Sequence, residues 1–90
     1  MRADELAGLL ERLKRTTPAN VQRLTPRELD ILRSLAKGKS TDIIATDHFL
    51  SPHTVRNHVS TILSKLGAHS KLEAVAISVR DGTLSFAEFS

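Results

Sequence analysis

Each of the three prolines in this chain follows a hydroxyl residue, and two of the pairs, Thr25-Pro26 and Ser51-Pro52, read as the start of a helix. Proline has no N–H and a φ fixed near the helical value, so it suits the first helical position, where no hydrogen bond is asked of it. The hydroxyl before it accepts a bond from one of the otherwise orphaned amides of the first turn. At the first site Glu28 stands three residues after Thr25 and completes a capping box. Leu29, Leu32, Leu35 and Ala36 then fall on one face, and Lys37 and Gly38 supply the cation and the left-handed residue that end a helix. At the second site the pattern predicts a helix from Pro52 to about Leu66, stopped at Gly67.

The remaining segments follow the same period. Leu6, Leu9, Leu10 and Leu13 form a stripe in a helix from about Ala3 to Lys14. The polar stretch Thr16 to Leu24, with Pro18 and Asn20, reads as a linker. Ser40 caps a short helix, Thr41 to Asp47, whose inward residues are Ile44 and Ala45, with Ile43 also apolar. A last helix begins after Ser70, has Glu73 in capping-box position, and ends near Asp81 and Gly82. Almost no segment alternates with the period of a strand, so the expected fold is all-α. The expected organisation is an N-terminal amphipathic helix and linker over 1–23, a four-helix domain over 24–82, and a tail over 83–90.

A seven-residue helix, a short turn through His48, Phe49 and Leu50, and a longer capped helix have the spacing of a helix-turn-helix, in which the first helix braces and the second enters the major groove. Residue placement on the longer helix sharpens this. Val55, Val59, Ile62, Leu63 and Leu66 lie within a sector about 100° wide, the width of a core-facing stripe. The opposite face holds His53, Arg56, Asn57, Ser60, Thr61 and Ser64, and no acidic residue occurs from Ser51 through Gly67. Arginine forks onto guanine, asparagine pairs bidentately with adenine, and serine or threonine bonds to several base edges. Ser51, Thr54 and Lys65 flank that face and can reach phosphates.

Net charge is less informative. It is +3 over the 90 residues, with +2 from residues 1–24 and +2 from 25–82 before Glu88 removes one. A basic balance suits a polyanion partner and equally suits a bland surface. There is no cysteine, which excludes disulfides, thiolate zinc sites and cysteine nucleophiles and fits a cytoplasmic, reducing setting. No run approaches the roughly 18 apolar residues of a membrane span, and the start lacks the layout of a signal peptide.

The residues from Leu24 to Gly82 resemble the LuxR/GerE-type DNA-binding domain, also found as the output domain of NarL-like response regulators. The resemblance is carried by Leu24-Thr25-Pro26-Arg27-Glu28, Gly38-Lys39-Ser40 with Ile44-Ala45, Ser51, Thr54-Val55-Arg56, Asn57-His58-Val59, Lys65-Leu66-Gly67 and Ala74-Val75. It implies a four-helix helix-turn-helix domain of a bacterial transcription regulator that binds double-stranded DNA. Base contacts would come from Arg56, Asn57 and Ser60, with His53 beside them, and phosphate contacts from Ser51, Thr54, Lys65, Lys39, His58 and Thr61. It also implies a homodimer on an inverted-repeat site, paired through Leu72, Val75, Ala76 and Val79 of the last helix, with RNA polymerase as a candidate further partner. Three positions depart from the family pattern: Ile43 where glutamate is usual, His48 where leucine is favoured, and Ser60 where relatives are often basic.

Other readings are weaker. His48, His53, His58 and His69 are spaced five, five and eleven apart with no paired carboxylate nearby, so no metal and no cofactor is expected. Asp47, Ser51 and His53 have the residue types of a catalytic set, but Ser51 is better explained as a cap, and no enzymatic activity is expected. The stripe on the first helix suits packing within the chain about twice as well as pairing between subunits. Phe86 and Phe89 either fold back or belong to a longer protein. A sigma-factor region 4-like module shares the helix-turn-helix, but the match from Lys65 to Val75 argues against it. A protein-interaction domain that has lost DNA binding is the alternative from another class; its support is the low charge and Ser60.

Overall fold

The computed structural model describes residues 2–13 and 23–85, and these form five helices and no strand: α1 (Ala3–Leu13), α2 (Pro26–Ala36), α3 (Thr41–Asp47), α4 (Pro52–Leu66) and α5 (Lys71–Arg80). The expected all-α fold, with an extra N-terminal helix before four others, is the one observed. Most of the expected linker, and Phe86 and Phe89, lie outside the described residues.

Local chemistry accounts for where the helices begin. The hydroxyls of Thr25, Ser40, Ser51 and Ser70 accept from the amides of Glu28, Ile43, Thr54 and Glu73, at 3.2, 3.3, 3.1 and 3.0 Å. Each bond satisfies one N–H that the first helical turn leaves without a partner. At α2 the box is reciprocal, since the Thr25 amide donates to Glu28 Oε1 at 2.8 Å. The stops are as local: Gly38 and Gly67 sit at φ 82° and 64°, a region that β-carbon sterics close to most residues.

Around α4 the other elements close a single core. α4 packs on α2, α3 and α5, and its Val55, Val59, Ile62 and Leu66 are buried. Leu63, expected on the same stripe, is half-buried at its margin. α2 departs from its expected stripe. Ile31, which lies off that stripe, is fully buried, whereas Leu29 is only half-buried. The reason is that α2 packs on both α4 and α5, so more of its circumference is enclosed than one stripe can supply.

His48, in a position where an inward ring would cost stability unless hydrogen-bonded, is half-buried with both ring nitrogens engaged. Its Nδ1 lies 3.4 Å from Arg27 Nη1 and its Nε2 3.4 Å from Ser34 Oγ. A guanidinium only donates, so Nδ1 accepts and the ring proton sits on Nε2, facing the serine. The Ser34 hydroxyl in turn donates to the Asp30 carbonyl at 3.2 Å. Polar partners on α2 thus meet both ring nitrogens of this half-buried side chain.

Candidate nucleic-acid interface

The turn from His48 to Leu50 carries the chain from α3 into α4, and α3 packs directly on α4. Leu50 donates its amide to the Ala45 carbonyl at 2.9 Å, which fixes the end of α3 against the start of α4. The polar side of α4 then faces away from the core: His53, Arg56, Asn57, Ser60, Thr61 and Ser64 are all exposed. Arg56 makes no hydrogen bond or ion pair with any described residue, and α4 has no acidic residue in its first turn.

Two contacts orient this face. Asn57 Nδ2 lies 3.4 Å from His53 Nε2, one turn away. Because the amide nitrogen only donates, Nε2 accepts, which leaves the Asn57 carbonyl oxygen and one N–H directed elsewhere. Ser51 Oγ accepts from the Thr54 amide and donates to Thr54 Oγ1 at 3.0 Å. The Thr54 hydroxyl proton is thereby left for an outside acceptor, while the Ser51 hydroxyl is occupied by the cap.

The two lysines expected beside phosphates are both engaged within the chain. Lys39 Nζ lies 2.8 Å from Asp47 Oδ2, linking the residue before the α3 cap to the last residue of that helix. The ammonium's hydrogen bond holds the Asp47 carboxyl below its ordinary range. Lys65 Nζ lies 2.7 Å from Glu28 Oε1, whose side chain is 6% exposed. Burial pushes the Glu28 carboxyl upward, but the bonds from Lys65 and from the Thr25 amide and hydroxyl together outweigh it, and the net shift is downward. His58 is half-buried at the flank of α4.

The expected α5 residues divide into two pairs. Val75 and Ala76 are fully buried within the chain, and Leu72 and Val79 are half-buried. α1 packs on α5, as the intramolecular reading of its leucine stripe anticipates, and its Leu6 is fully buried. Sequence reasoning missed Glu28 as a buried ion-pair partner. Its capping-box position was visible, but the only hint of a distant partner was that Lys65 lies between the core residues Ile62 and Leu66.

Among the described residues, no helix is long and apolar enough to cross a membrane. The family model for bacterial regulatory proteins of the luxR family matches residues 22–78. Transcriptional regulatory protein YdfI of Bacillus subtilis is 39% identical over 75 residues, 83% of this chain and 34% of that protein. Spore germination protein GerE of the same organism is 41% identical over 61 residues, 68% of this chain and 82% of that protein. Transcriptional regulatory protein FixJ of Bradyrhizobium diazoefficiens is 31% identical over 85 residues, 94% of this chain and 42% of that protein. The chain thus spans about a third of YdfI but most of GerE. On the match over 22–78 and on the helix-turn-helix formed by α3 and α4, the chain belongs to the luxR family of bacterial regulatory proteins.

Proposed function

We propose that the chain binds double-stranded DNA in the cytoplasm as part of a transcription regulator, laying α4 in the major groove. The observation that carries this reading is the outward, acid-free face of α4, on which Arg56 stands without a partner among the described residues. Arg56 and Asn57 read base edges, with Ser60 and His53 beside them. Thr54, with its hydroxyl proton directed outward by Ser51, and Thr61 and His58 on the same flank meet the phosphates. Lys39 and Lys65, paired with Asp47 and Glu28, contribute there only what their carboxylates leave unneutralised.

Two copies bind an inverted repeat with half-sites about one helical turn apart, paired through α5, as dimeric helix-turn-helix proteins do. Selection from a random duplex pool followed by titration over a salt range tests the reading. A recovered half-site bound more tightly than random duplex, with affinity that falls steeply as salt rises, is the expected result. Salt-independent binding, or no enrichment after repeated rounds, overturns it.

A further inference from the structure

The middle of α5 is enclosed on every side. Ala74, Val75, Ala76, Ile77 and Ser78 are consecutive, and each is 0% or 1% exposed. A helix turns about 100° per residue, so five successive positions go round more than a full turn. α1, α2 and α4 all pack on α5. Leu84, buried after the end of α5, donates its amide to the Ser78 carbonyl at 3.0 Å and closes the same region. The residues expected to meet a second copy are therefore half covered by the chain itself.

α1 is the one member of this enclosure whose packing is confined to α5, with no other helix met to a comparable extent. Leu6 is fully buried there, while Leu9 and Leu10 are only partly buried. An 11-residue helix is too short to persist in water by its own propensity. Gly8 weakens it further, and packing does not require that glycine: a β-carbon built at Gly8 meets nothing within 4 Å. α1 is also outside the span 22–78 that the family shares.

We propose that α1 is an internal cap on α5, which a second copy of this chain displaces when the two pair through that helix. The proposal rests on the dimeric reading given above and adds its regulation: α1 and the second copy compete for one surface, so pairing is held back by the α1–α5 contact. Strengthening α1 as a helix disfavours the dimer, and weakening its anchor favours it.

The test uses the full chain in three forms, wild type, Gly8→Ala and Leu6→Ala, each measured for self-association by sedimentation equilibrium and for binding to duplexes holding one or two selected half-sites. Gly8→Ala should weaken pairing by about fivefold per chain, the equivalent of one glycine replaced in a helix. Leu6→Ala should strengthen it, and neither should alter affinity for a single half-site. Equal pairing in all three forms, or shifts in the same direction, overturns the cap. Should Leu6→Ala fail to fold, Gly8→Ala decides alone, since nothing crowds the added methyl. Wild type and Leu6→Ala that bind one half-site yet never pair would overturn the dimeric reading and the cap with it, leaving DNA binding standing; loss of single-site binding in wild type would instead overturn the DNA reading.

Discussion

Lys65 Nζ meets Glu28 Oε1 at 2.7 Å, a contact between the last turn of α4 and the first turn of α2 that spans 37 residues of sequence. The same carboxylate oxygen accepts the Thr25 amide at 2.8 Å, so one atom ties the start of α2 to the end of α4. Glu28→Ala removes both bonds and leaves the ammonium in a site where the lysine side chain is only 22% exposed. Breaking such a pair should cost about 3 kcal/mol, the low end for a buried pair because Lys65 keeps some contact with water. Urea unfolding of the two single variants and the Glu28→Ala/Lys65→Ala double variant measures it, and strictly additive losses would show that the contact contributes no coupling.

The same carboxylate makes stability depend on pH in a defined direction. The folded state holds Glu28 below its ordinary value, so the unfolded chain takes up a proton first as pH falls. The stabilisation is complete above the unfolded carboxylate's range, near about pH 4.3, and is lost as pH drops through the lower folded value. The midpoint of unfolding should therefore fall between about pH 5 and pH 3 more steeply in the wild type than in Glu28→Gln. Parallel profiles for the two proteins would remove Glu28 from the acid response.

Most of the fold could be read from the sequence because its signals are local. A cap such as Ser51 and a stop such as Gly67 act within four residues, and the bounds of α3 and α4 follow from them. The outward face of α4 was legible for the same reason, since Arg56 and Asn57 fall within the single helical turn that separates Val55 from Val59 and so point away from them. What was not legible depends on how helices meet. Ile31 is buried because two helices pack on α2, and Lys65 finds Glu28 because of the angle between α4 and α2, neither of which any local pattern encodes. The burial of Val75 and Ala76 likewise follows from α1, α2 and α4 all packing on α5, which no local pattern encodes.

Arg56 is exposed and has no partner among the described residues, so removing it should leave the fold alone. Arg56→Ala should change unfolding stability by no more than about 0.5 kcal/mol. Specific DNA binding should weaken by about 1 to 3 kcal/mol, with preference relaxed at one base pair and little change on random duplex. Competition binding with half-sites altered one position at a time reads this out. An Arg56→Ala protein that kept its selectivity at every position would take Arg56 out of base reading.

Phe49 combines two features that seldom coincide: its φ is 57°, and its side chain is 96% exposed. The left-handed conformation presses a β-carbon against the following carbonyl and costs an L-residue about 1 to 2 kcal/mol, least for asparagine and nothing for glycine. Phenylalanine recovers none of this through burial, because almost all of its surface faces water. The turn needs only the backbone here: the Phe49 amide donates to the Thr46 carbonyl at 3.3 Å, a bond that any residue but proline can make. Phe49→Asn should therefore stabilise the protein by about 1 kcal/mol. For a domain of this size that gain raises the melting temperature by about 4 to 8 °C in a calorimetric scan. An unchanged or lower melting temperature would mean that Phe49 makes a stabilising contact despite its exposure, and that the strain in this turn is not relieved by the residue it carries.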